Sequence, residues 1–244
     1  MDEWKSFMRA PEGTHHVIQG MPAYLNRFDE VLKFHPPGLA AVRDGSGAYH
    51  IDLAGQAVYS ERHLRTFGFY QERAAVQTTD GWMHIFPDGQ ALYPERYAWC
   101  GNFQEERCPI RLFDHRYIHL GLDGKAVYAE RYRYTGDYRD GMAVVQREDG
   151  LHTHITRDGK LVHGRWLPDL DVFHKDIARA RDEQGWHHIN VSGHPLYQRR
   201  FASIEPFYNG QARVEDLDGS LLVIDEQGEV RVLLHHARSQ TNAL

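Results

Sequence analysis

The feature that most restricts how this chain can fold is internal repetition. Asp80-Gly81-Trp82-Met83-His84-Ile85 is followed by Asp88-Gly89-Gln90-Ala91-Leu92-Tyr93 and then Arg96-Tyr97. The same order returns at His119, Asp123-Gly124-Lys125-Ala126-Val127-Tyr128 and Arg131-Tyr132. It returns again at His154, Asp158-Gly159-Lys160-Leu161-Val162-His163 and Arg165-Trp166. Further copies run through His16, His50 and His188, and a degenerate one places Val223-Ile224 where the others hold histidine and an aliphatic residue. Successive anchors lie 34 or 35 residues apart. A unit of this length cannot bury both of its faces alone, so it must stack on copies of itself.

Within a unit the periodicity is that of strands. Short apolar or alternating runs such as Arg73–Gln77 and Met142–Gln146 each lead into an Asp-Gly turn. The histidine strand follows, then a second Asp-Gly turn, an Ala-Val-Tyr-like strand and a closing aromatic stretch. No window sustains a 3.6-residue period. The expected fold is therefore all-β, a β-propeller of about seven repeats. The alternative is six blades with the last copy as a C-terminal clasp. The last unit ends near Leu233 without a closing aromatic strand, and Trp4–Ala10 stands where the first unit's opening strand belongs. The expectation is that this N-terminal strand completes the last blade and closes the ring. One domain is expected over residues 1–234, with a polar tail over 235–244.

Composition removes several function classes. With 28 basic and 34 acidic residues the net charge is −6, which argues against a nucleic-acid surface. No run approaches the length of a transmembrane helix, and the first residues lack the pattern of a signal peptide. Two cysteines, Cys100 and Cys108, supply no disulfide framework, and a cytoplasmic location is expected. They read as small packing residues. No phosphate-binding loop, nucleophile elbow or His-Glu-x-x-His is present.

The pattern Asp-Gly-Trp-x-x-Ile followed by an Asp-Gly turn resembles the bacterial WG repeat. It is carried best by Asp80–Ile85 and by Gln184-Gly185-Trp186-His187-His188-Ile189. The resemblance covers nearly the whole chain and implies a repeat scaffold rather than an activity. The chain departs from it at Trp82-Met83-His84-Ile85 and Trp186-His187-His188-Ile189, where histidine replaces the family's aromatic residue. Some bacterial proteins that resemble this chain carry such repeats ahead of a small-molecule methyltransferase domain, so the resemblance implies a methyltransferase at most as a partner.

Histidine is abundant, 17 of 244 residues, and six occupy one repeat position: His16, His50, His84, His119, His154 and His188. Seven positions filled at the overall frequency would hold about half a histidine. Two readings follow. Equivalent positions of a propeller lie on a circle, so the six imidazoles could converge on one transition-metal ion: iron, zinc, cobalt, copper or nickel. Such a site makes a metal-dependent enzyme, an oxidoreductase, oxygenase or hydrolase acting on a small polar or anionic metabolite in a biosynthetic tailoring step. Otherwise each ring is a structural group with both nitrogens bonded within the fold, and the chain is a non-catalytic module that binds a protein, peptide or metabolite. A parallel array, Arg27, Arg62, Arg96, Arg131, Arg165 and Arg200, either binds an anionic substrate or locks the repeats by stacking on aromatics and pairing with acidic loops.

Overall fold

The computed structural model describes residues 3–236. One short 3-10 helix, Glu3–Ser6, precedes strands throughout. Each repeat forms its own small antiparallel sheet, giving seven sheets among the described residues. This is the all-β, blade-per-repeat organisation of a β-propeller. The third sheet shows the plan. Arg65–Thr66 pairs with Ala74–Thr78, which pairs with Gly81–Ile85 so that Ala75 lies opposite His84. The outer segment returns through the isolated pair Ile85–Ala91. The middle strand buries Ala74, Ala75 and Val76, and the histidine strand buries Met83, His84 and Ile85, so both strands are apolar rather than cleanly alternating.

The seventh copy is a full sheet of four strands and not a clasp. Its outer strand is its own segment Val230–His235, paired along Leu221–Asp225. The expectation that the N-terminal strand completes it is thereby corrected. Met8–Arg9 belongs to the first sheet, where Met8 and Arg9 pair with Val17 and His16. The alternation Val230-Arg231-Val232 extends the last hairpin far enough to supply the missing edge locally. His235, expected to open a polar tail, ends this strand; residues 237–244 of that tail lie outside the described residues.

The chain divides into two compact units between Arg131 and Tyr132. In the first, one apolar cluster runs from Tyr24 through Phe69 and Ile85 to Leu120. In the second, one cluster is built on Phe173 and Ile189 and another on Phe201 and Ile224. Among the described residues no helix is long and apolar enough to cross a membrane.

Candidate functional site

The repeat histidines are all fully buried. In the third repeat, His84 Nδ1 lies 2.6 Å from the Tyr93 hydroxyl and Nε2 lies 2.9 Å from the Gly101 carbonyl oxygen. A carbonyl can only accept, so Nε2 carries the proton and the phenol donates to Nδ1. The second repeat is the same, with Tyr59 at 2.5 Å and the Phe67 carbonyl at 2.7 Å from His50. So is the sixth, with Tyr197 at 2.6 Å and the Glu205 carbonyl at 2.9 Å from His188. His16 uses Tyr24 and the Leu32 carbonyl, and His119 takes Tyr128 at 2.5 Å. In the fifth repeat the tyrosine is itself replaced, and His154 Nδ1 meets His163 Nε2 at 3.0 Å while its Nε2–H donates to Asp171 O.

The carbonyl acceptors sit at the start of the following sheet, so each such histidine ties its own repeat to the next. The tyrosines extend the same tie. A Cβ on Gly89, in the second turn of the third repeat, would lie 2.7 Å from the Tyr59 ring, and Gly89 has φ +86°. The Asp-Gly turn therefore serves two needs: a left-handed backbone and a flat seat for the preceding repeat's tyrosine. Burial pushes the pKa values of His50, His84, His154 and His188 down to about 4. They are neutral staples at physiological pH.

The repeat histidines bond within their own sheet and to the next, without forming the expected shared cluster among the described residues. Among the described residues, no three or more His, Cys, Asp or Glu side chains are grouped so as to hold an ion. The rings point to their own tyrosine and to the next sheet's backbone instead of to one another. The Ala-Val-Tyr recurrence, nine residues after histidine in most copies, was the signal for the partner that sequence reasoning left unread.

Most members of the arginine array bond to nearby turns. Arg62 Nη1 donates to the carbonyls of Tyr59, Ser60 and Glu61, and its guanidinium lies 3.7 Å from the centre of the Tyr49 ring. Arg27, Arg96 and Arg200 cap the same turn carbonyls. The acidic partners are turn residues: Asp80 for Arg96, Asp114 for Arg131 and Asp182 for Arg200. Arg165 is exposed. Cys100 and Cys108 are buried thiols packed near Tyr93 and His84, and burial raises Cys100 to about 12.

The described residues include open clefts in both units. In the first unit a groove of about 310 Å³ lies along Glu30, Leu32, Arg43, Arg65, Thr66 and Phe67. In the second unit a cleft of about 250 Å³ is lined by Arg139, Asp171, His174, Arg179, Pro206 and Phe207, among others. Of the histidine array, His188 also lines the second cleft, and none of the arginine array lines either.

No protein-family model matches the chain, and no curated protein matches it. Solved structures with similarity include the computationally designed Ika8 protein, at 14% identity over 95% of this chain and 84% of that one, with a TM-score of 0.48. BamB from Moraxella catarrhalis is 14% identical over 95% of this chain and 85% of its own, with a TM-score of 0.48. Hsv2p from Kluyveromyces lactis is 13% identical over 86% and 83%, with a TM-score of 0.44.

Proposed function

We propose that this protein is a non-catalytic β-propeller module of the WG-repeat type that binds a small-molecule ligand, with the cleft of its second unit as the binding site. One observation carries this reading. The residues that suggested metal chemistry have ring nitrogens bound within the fold: each buried imidazole accepts from a phenol or second imidazole, and His16, His50, His84, His154 and His188 also donate to a carbonyl. Ligation would require breaking these bonds in at least three repeats at once, leaving buried tyrosine hydroxyls and carbonyls without partners. A scaffold stapled in this way keeps its sheets fixed and leaves recognition to the side chains that line its clefts.

The test is elemental analysis of untagged protein, before and after incubation with candidate metals, with thermal unfolding measured with and without chelator. The reading expects less than about a tenth of an equivalent of any transition metal and the same Tm in chelator. Stoichiometric iron, zinc, cobalt, copper or nickel, lost together with the fold on chelation, would overturn it and restore the metal-dependent enzyme.

A further inference from the structure

Three features of the second unit meet at its cleft. The first is the residue paired across from the repeat histidine. It is Ala41, Ala75, Pro109 and Val144 in repeats two to five and an arginine in the other three, Arg9, Arg179 and Arg213, of which Arg179 lines the cleft. The second is the residue whose carbonyl accepts the histidine's N–H. It is Leu32, Phe67 and Gly101 in the first unit but an acidic residue, Asp171 or Glu205, in the second, and the Asp171 carboxylate receives both Nε and Nη2 of Arg179. The third is the aromatic ring that packs on the histidine. Phe34, Phe69, Phe103 and Phe173 are at most 4% exposed, whereas Phe207, 4.1 Å from His188, is only half-buried and lines the cleft.

The corresponding corner of the first unit is filled. His35 lies against Tyr70 with ring centres 4.7 Å apart, and its imidazole sits so close to Gly68 that a Cβ there would be 2.3 Å away. Arg139 and His174 occupy the equivalent turn position in successive repeats of the second unit. Each precedes a tight turn that closes on Met142 or Ile177, and both side chains are exposed at the cleft.

We infer that this cleft is a recognition site for a compact aromatic monocarboxylate. The inference rests on reading the chain as a binding module. Arg139 supplies a guanidinium that no side-chain ion pair holds among the described residues. Arg179 has given three of its five N–H donors to Asp171 and to the Ile204 carbonyl, which leaves two for a ligand. Two guanidinium groups suit a planar carboxylate. The Asp171 charge cancels that of Arg179, leaving an excess of one positive charge from Arg139, which favours a monoanion over a phosphate dianion. Phe207 and Pro206 provide the apolar wall for a ring. At about 250 Å³ the cleft is below the roughly 300–1,000 Å³ of pockets that hold drug-sized ligands, which limits the ligand to one ring and a short acid arm.

The experiment is calorimetric titration of the whole chain with phenylacetate, with phenylacetamide and inorganic phosphate in parallel, and metal content measured on the same sample. Phenylacetate should bind at one site, the amide about tenfold or more weaker, and phosphate should not compete. Arg139→Gln, on an exposed turn, should weaken phenylacetate about tenfold while leaving the amide and the Tm unchanged. Phe207→Ser should weaken both compounds. No phenylacetate binding up to about 10 mM, equal binding of acid and amide, stronger binding of phosphate, or an Arg139→Gln variant that binds as wild type would each overturn the inference. If phenylacetate fails on metal-free, chelator-resistant protein, only the ligand class falls. If it binds to protein carrying stoichiometric metal, the cleft stands and the non-catalytic reading falls.

Discussion

The Tyr93 hydroxyl and His84 Nδ1 lie 2.6 Å apart in a fully buried contact that recurs, with the same chemistry, in five of the six histidine-bearing repeats. Burial raises the Tyr93 hydroxyl far above its ordinary pKa and lowers His84 to about 4, so neither partner ionises near neutrality. The bond is between neutral groups, and its value lies in the cost of leaving it unmade. Tyr93→Phe strands a buried acceptor and should destabilise the protein by about 1–3 kcal/mol. His84→Phe combined with Tyr93→Phe should cost less than the sum of the two single changes, because the double variant leaves no orphaned polar atom at Nδ1. Urea denaturation of the four proteins at constant m-value measures this coupling.

Acid should unfold the protein earlier than its carboxylates alone would require. His50, His84, His154 and His188 have folded pKa values near 4, against about 6.5 when unfolded. Between these values the unfolded chain binds more protons than the folded one, so stability falls as pH drops. It is fully present above about pH 6.5 and declines until about pH 4. The slope should approach about 1 kcal/mol per pH unit for each such histidine near pH 5. Denaturation midpoints at pH 7, 6 and 5 should decline steadily, and His50→Phe should make the decline shallower.

The repeat, its strands and its turns were legible because each has a local cause. Asp-Gly marks left-handed turns, and recurrence at 34 or 35 residues marks the sheets. The role of the histidines was only half legible. A recurring His says that one position needs an imidazole, but not which way the ring faces. That direction is set by a phenol nine residues on and by a carbonyl in the next sheet, such as Gly101 O for His84. The phenol leaves a trace in the sequence, since Tyr59, Tyr93, Tyr128 and Tyr197 keep step with the histidines. The carbonyl leaves none, because any residue has one: Leu32, Phe67, Gly101, Asp171 and Glu205 all serve. Val223 fits the same logic, since its strand is followed by Val230–His235 and not by another sheet. The cleft at Arg179 was not legible for another reason: its lining, Arg139, Asp171, Arg179 and Phe207 among it, is drawn from several different positions of the repeat.

Gly89 and Gly150 separate the two needs of a turn glycine. Both have φ +86°, but a Cβ on Gly89 would lie 2.7 Å from the Tyr59 ring, whereas one on Gly150 meets nothing within 4 Å. Gly150→Ala should cost only the left-handed penalty of about 1–2 kcal/mol. Gly89→Ala adds overpacking against a buried ring and should cost about 1–3 kcal/mol more. The difference between their unfolding free energies measures the seat of the tyrosine. Equal losses would mean that Tyr59 moves aside freely.

Arg62 should prove a structural group with little tolerance for lysine. Its Nη1 serves three carbonyls, its Nε donates to Ser46 Oγ at 3.0 Å, and its plane covers Tyr49. An ammonium keeps the charge but cannot reproduce the fork or the stacking. Arg62→Lys and Arg62→Met should therefore each lower stability by about 1–2 kcal/mol, with the two within a few tenths of each other. A lysine variant as stable as wild type would show that charge alone suffices there.

His163 is the one place where a second imidazole stands in for the tyrosine, and the fold around it is otherwise unchanged. Its ring rests over Gly193, where a Cβ would lie 2.8 Å away, just as Tyr197 rests over Gly228 at 2.6 Å. His163 Nε2–H donates to His154, and its Nδ1 faces the Arg165 amide at 3.4 Å, a long and weak bond. Burial and the neighbouring Arg165 both lower the His163 pKa, so this pair adds two proton-sensitive rings where other repeats have one. His163→Tyr would restore the phenol donor to His154 Nδ1 and remove one of those rings. The variant should fold with stability at neutral pH equal to wild type or up to about 1 kcal/mol higher, and it should lose less stability between pH 6.5 and 5. Melting curves across that range test both parts. A lower Tm at neutral pH together with an unchanged acid slope would show that the histidine pair is shaped for its own site and is not a substitute for tyrosine.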